Sequence, residues 1–128
     1  MYAGTEKTEE ILVKDGVLYL VIHPTIDPDQ RGGTWQRSQK TVMAVRESDG
    51  SILWRHDLPW IAPVTLTVGE KNVYLCDGPH VIAFDRASGK ELWKSTELPW
   101  REKKMPTYFA PTMVAAGANV LYVGGENW

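Results

Sequence analysis

The sequence predicts an all-β chain built from short antiparallel strands in repeated units. Three observations carry that prediction. Eleven Gly and eight Pro in 128 residues supply turns at a density that a helical bundle does not tolerate. The apolar runs are short, rich in Val, Leu, Ile and Tyr, and bounded by Gly, Asp, Asn and Pro, as strands are. Two stretches of the chain also repeat each other.

Residues 42–60 read VMAVRESDGSILWRHDLPW and residues 81–100 read VIAFDRASGKELWKSTELPW. Ala44, Gly50 and Trp54 match Ala83, Gly89 and Trp93, and Leu58-Pro59-Trp60 matches Leu98-Pro99-Trp100 after a one-residue slip. Ile61-Ala62-Pro63 is answered by Phe109-Ala110-Pro111, and Val73-Tyr74-Leu75 by Leu121-Tyr122-Val123 and by Leu18-Tyr19-Leu20. The copies lie 39 (Ala44 to Ala83) to 48 (Pro63 to Pro111) residues apart, except for one longer gap, Tyr19 to Tyr74, that contains an insertion. A period of ~40–50 residues with several strands per unit is the mark of propeller blades.

The elements follow in order. The first unit, about 9–58, gives strands at Ile11–Val13, Val17–Ile22, Thr41–Val45 and Ile52–His56. Its second strand is a continuous apolar run, as in a strand covered on both faces. An insertion at 23–41 separates its second and third strands, where the second unit has only Asp77-Gly78-Pro79-His80. The second unit, about 61–98, gives Val64–Val68, Val73–Cys76, Val81–Asp85 and Glu91–Ser95, joined by Gly-containing hairpin turns. The third, about 109–128, gives Thr112–Ala115 and Val120–Val123. Four-stranded blades in this number form an incomplete ring, since a closed propeller needs ~4–8. A single domain of about two and a half blades is expected, a fragment of a longer protein or a self-associating chain.

Ala44 to Trp54 and Ala83 to Trp93 both follow Ala-x-x-x-x-x-Gly-x-x-x-Trp. The Gly closes an outer hairpin where φ is positive, and the Trp brings a large apolar surface whose N–H needs a partner. A Trp of one blade over the Ala of the next would lock the two together. The segment Ala83-Phe84-Asp85-Arg86-Ala87-Ser88-Gly89-Lys90-Glu91-Leu92-Trp93 resembles the tryptophan-docking motif of quinoprotein-like propellers, the pyrroloquinoline-quinone (PQQ) repeats. The first copy departs from that pattern at Arg46 and Asp49. The resemblance implies a propeller whose docking residues are Ala44, Gly50, Trp54, Ala83, Gly89 and Trp93. It also implies a larger bacterial, extracytoplasmic protein, enzyme or scaffold. The motif is structural in both kinds, so function rests on a site.

Charge and composition narrow the partners. Net charge is −2, with fourteen basic and sixteen acidic residues interspersed, so no basic face for nucleic acid is expected. No apolar stretch reaches the ~20 residues of a membrane helix, and residues 1–10 carry no signal-peptide core. Cys76 is the single cysteine and reads as a small buried hydrophobe. His23, His56 and His80 have no metal-ligand spacing; His23 and His80 read as solvated turn residues. Asp27 to Gly32 begins like a calcium loop but has Arg31 at its fifth position and Ser38 at its twelfth. Glu126 and Asn127 are calcium-ligand types without an alignable motif.

No cofactor is expected in this chain alone; PQQ with calcium belongs to the alternative, a dehydrogenase propeller. The favoured expectation is a non-catalytic scaffold or recognition module. Its partners would be missing blades, other copies of the chain, or a protein or small ligand. The insertion is the candidate binding loop through Arg31, Trp35 and Arg37, because long loops on rigid scaffolds carry recognition and Trp and Arg anchor interfaces.

Overall fold

The computed structural model describes residues 4–27, 29, 37–98 and 112–123. Ten strands and no helix are found among them. The first sheet contains β1 (Thr8–Lys14), β2 (Val17–Ile22), β3 (Lys40–Arg46) and β4 (Ile52–Leu58), side by side in chain order. The second contains β5 (Thr67–Val68), β6 (Asn72–Cys76), β7 (Val81–Asp85) and β8 (Glu91–Lys94), again in chain order. β9 (Thr112–Ala116) pairs with β10 (Asn119–Val123). All pairings are antiparallel. These are unclosed, incomplete propeller blades.

The two full sheets superpose by register as well as by sequence. Tyr19, Ala44 and Trp54 lie opposite one another across the first sheet, as Tyr74, Ala83 and Trp93 do across the second. Each sheet has a pairing irregularity directly after that alanine, where the strand turns into the outer hairpin. The hairpins are closed differently. Asp85 Oδ1 accepts from the Ala87 and Ser88 N–H groups and the Ser88 hydroxyl. The first unit has Arg46 at that position, and Asp49 takes over, accepting from the Ser51 N–H and hydroxyl. Both carboxyls titrate below their usual range because of these serine contacts.

Strand alternation then decides what packs. The face of sheet one with Tyr19, Val21, Val42, Ala44 and Trp54 meets the face of sheet two with Val73, Leu75, Ile82 and Phe84 in one core. The opposite face of sheet two, with Tyr74, Cys76, Val81 and Ala83, packs on Met113, Ala115, Val120 and Tyr122 of β9 and β10. The outward face of sheet one, Leu20, Ile22, Met43 and Val45, forms a third buried cluster. By register that face answers the Val73, Leu75, Ile82 and Phe84 face, so the seam between the first two sheets joins two unlike faces.

One strand differs from expectation. β5 covers only Thr67–Val68 instead of 64–68. Val64 sits at φ 62°, a left-handed conformation costly for a β-branched residue. Its N–H donates to Glu10 Oε1 at 2.7 Å, so the link between the sheets follows the carboxylate rather than the strand.

Candidate functional site

The seam between the first two sheets has an apolar middle and two polar ends. At the outer-hairpin end, the Trp54 indole rests on the β7–β8 turn. Its Nε1–H donates to the Arg86 carbonyl at 2.9 Å, and its ring stacks with Phe84 at 6.3 Å. Gly89, at φ 72°, lies directly beneath, where an added Cβ would stand 2.5 Å from Trp54 Cγ. His56 Nε2–H donates to the Gly89 carbonyl. Arg86 pairs with Asp15 at 2.8 Å, and Lys14 with Glu70 at 3.0 Å. The indole thus meets Gly89 of the next unit, whereas Ala83 belongs to the other core and Ala44 is the cross-strand neighbour of Trp54.

Trp54 and Trp93 occupy equivalent positions, yet Trp54 is 7% exposed and Trp93 40%. Trp93 touches Tyr74 of its own sheet, at 5.9 Å between rings. An outer hairpin of a third unit, the counterpart of the Gly89 turn, is not among the described residues.

The other end of the seam lies beneath the insertion. β1 bulges between Thr8 and Glu10, which turns Glu9 and Glu10 inward together. Glu10 carboxylate oxygens accept from the Val64 N–H at 2.7 Å and the Leu66 N–H at 3.0 Å. Glu9 Oε1 accepts from His23 Nδ1–H at 2.7 Å, and Glu9 Oε2 pairs with Lys40 Nζ at 2.7 Å. His23 Nε2 receives the Ser38 hydroxyl at 2.5 Å. The His23 and Lys40 side chains are 0% exposed. Lys40 also lies 5.8 Å from the centre of the buried Trp60 ring, and the Arg37 guanidinium 5.3 Å from it, both at cation–π range. The two ends of the insertion are therefore tied to β1 and to the link between the sheets.

The family assignment follows from this repeat architecture and from direct comparison. The family model described as outer membrane protein assembly factor BamB, a PQQ-like repeat model, matches residues 38–126, more than half of the chain. The chain belongs to this PQQ-like repeat family. No curated protein matches it.

In this PQQ-like repeat chain, the candidate loop residues Arg31 and Trp35 lie outside the described residues, as do Glu126 and Asn127. Arg37 is described and exposed, stacked on Trp60. His23 corrects an expectation: it is fully buried and hydrogen-bonded at both ring nitrogens rather than solvated. His80 is half-buried and bonded to Asp77 at 3.2 Å, so the two histidines do not pair with each other. Lys40, Glu9, Glu10 and Ser38 were not legible as site residues. One signal was present: the alternation of β3 puts Lys40 on the same face as Val42 and Ala44, the buried one.

Two clefts lie among the described residues, the first on the first sheet alone and the second between the second sheet and the β9–β10 turn. One of about 320 Å³ is lined by Gly4, Glu6, Lys7, Ile22, Pro24, Thr41 and Arg55. Another of about 270 Å³ is lined by Glu70, Lys71, Asn72, Tyr74, Gly117 and Ala118. Among the described residues, no three of His, Cys, Asp and Glu converge to hold a metal ion.

Two expected outcomes arise from the titrating groups. Burial raises the Glu10 carboxyl above its ordinary value of 4.5, against the pull of the Leu66 and Val64 N–H groups and of Lys40. The folded chain then binds a proton at Glu10 more readily than the unfolded chain, so this group's stabilising contribution grows as pH falls toward 4.5. The melting temperature of the wild type is expected to rise relative to Glu10→Gln between neutral pH and pH 4.5; parallel curves would refute this. Cys76 is buried and its thiol is pushed up to about 11 by that burial. Reaction with a disulfide reagent is expected only in step with unfolding, and fast modification of the folded chain would overturn the placement.

Proposed function

We propose that this chain is part of a non-catalytic propeller that acts as a scaffold or recognition module for proteins, with its binding surface on the insertion. The observation that carries this reading is the anchoring of the insertion. Its base is pinned by a buried set of Glu9, His23, Ser38 and Lys40, and its end presents the exposed Arg37 stacked on Trp60. A rigidly footed loop loses less entropy when it binds. The second unit has a four-residue hairpin at the corresponding place, so the insertion distinguishes one blade from the next. The description of the family as an outer membrane protein assembly factor supports a protein partner, and by the same route a bacterial, extracytoplasmic setting.

The test is a titration of the chain against an unfolded outer-membrane β-barrel protein, read by fluorescence anisotropy. Trp35→Ala combined with Arg37→Ala is expected to weaken binding about 30-fold or more, the scale of an interface hot spot, with the melting temperature little changed. Equal binding by wild type and variant would remove the insertion from the surface. A parallel titration with PQQ and calcium addresses the dehydrogenase alternative; a change in the visible absorption of the quinone would favour it.

A further inference from the structure

We propose that Ser38 is a base-activated nucleophile able to accept an acyl group from carboxylic esters, with His23 as general base and Glu9 as positioning residue. This inference starts from the same set that anchors the insertion, but it concerns the chemistry of Ser38 and does not need a protein partner.

The arrangement is that of nucleophile, base and orienter, each within hydrogen-bond reach of the next. Ser38 Oγ stands 2.5 Å from His23 Nε2, and His23 Nδ1 stands 2.7 Å from Glu9 Oε1. The tautomer follows from the partners. Glu9, paired with Lys40 through its second oxygen at 2.7 Å, is a carboxylate and can only accept. The Nδ1 of a neutral His23 must then carry the proton, which leaves Nε2 as the acceptor facing the Ser38 hydroxyl.

Position and burial agree with this assignment. His23 and Lys40 are fully buried, so the hydrogen bonds that orient the ring are shielded from competing water. Ser38 is half-buried and is the member of the set next to the exposed Arg37. The second unit offers an internal comparison. There Asp77 bridges His80 Nδ1 at 3.2 Å and Lys94 Nζ at 3.0 Å, the same carboxylate–imidazole–ammonium combination. That combination holds a turn in the second unit, and among the described residues a serine hydroxyl is set on the far ring nitrogen in the first unit alone.

With an ester, the Ser38 oxygen forms a bond to the acyl carbon and its proton passes to His23 Nε2. The bond from acyl carbon to alkoxy oxygen breaks, and the alcohol leaves with the proton returned from His23. The buried imidazole is poorly placed to deliver water afterwards, so the acyl group is expected to persist on Ser38.

The full chain is treated with an alkyl fluorophosphonate and mapped by peptide mass spectrometry. The Ser38 oxygen forms a bond to phosphorus, fluoride leaves, and the proton goes to His23. Ser38 is expected to be modified about 10²-fold faster than Ser51 and Ser88 in the same sample, the lower end of what general-base assistance supplies. Ser38→Ala is expected to abolish the fast labelling, and Glu9→Gln to slow it and displace its pH profile. Modification of Ser38 no faster than Ser51 and Ser88 in the wild-type chain overturns the proposal, whether or not the variants fold. Fast labelling that survives in Ser38→Ala overturns it equally.

Discussion

Trp54→Ala is expected to destabilise the chain by about 3–5 kcal/mol, the usual cost of emptying a large aromatic site. The indole joins the Tyr19, Ala44 and Ile82 core, stacks on Phe84 and donates to the Arg86 carbonyl of the next unit. The loss therefore falls on the joint between sheets rather than on the first sheet alone. Gly89→Ala is expected to be costly as well. The residue sits at φ 72°, and its Cβ would stand 2.5 Å from Trp54 Cγ, so backbone strain and a steric overlap act together. The two changes share one space. In Trp54→Ala the overlap with the ring is gone, while the Cβ of residue 54, at 2.7 Å, still stands in the way, so Gly89→Ala should then cost clearly less than it does in the wild type. A double-mutant cycle read by urea denaturation measures this coupling, and strictly additive effects would sink it. Trp93→Ala is expected to cost clearly less, because its ring is 40% exposed.

Lys40→Met is expected to destabilise by about 3–5 kcal/mol, the range for removing one partner of a buried ion pair. Burial pulls the Lys40 ammonium below its ordinary value of 10.5, and the bonds to Glu9 oppose that pull. Without the ammonium, Glu9, whose side chain is 6% exposed, keeps His23 as its charged-capable partner among the described residues. The double variant Glu9→Gln with Lys40→Met should recover most of the loss, since desolvating the pair consumes much of its attraction. The check is chemical denaturation of the two single variants and the double. A double variant as unstable as the sum of the singles would mean that the set is held by packing rather than by charge.

The blades were legible because their determinants repeat. Ala44, Gly50 and Trp54 recur as Ala83, Gly89 and Trp93, and a spacing that recurs once fixes strand, turn and register together. The short β5 was not legible, because the path of residues 61–66 depends on Glu10, which bonds them from 54 and 56 residues away. The set of Glu9, His23, Ser38 and Lys40 was hidden for a related reason. No helical or strand period connects those four numbers; they meet only once β1, β2 and β3 are aligned and the bulge at Glu9 has turned it inward. The support of Trp54 was half legible. A buried indole was expected over the alanine of the next blade; Ala83 faces the other core instead, and the residue beneath Trp54 is Gly89.

The long reach of Glu10 has a consequence for the order in which the chain becomes stable. The seam is closed by contacts that span 56 residues at Leu66 and Glu70 and 32 at Arg86. During synthesis at ~5–20 residues per second, Glu10 and Lys14 must wait roughly 3–11 s for Leu66 and Glu70 to be made. Until the second sheet follows, the Tyr19, Val21, Val42 and Trp54 face of the first sheet has no cover, and the nascent chain is open to wrong associations. Each new unit repairs the exposure left by the one before and creates its own.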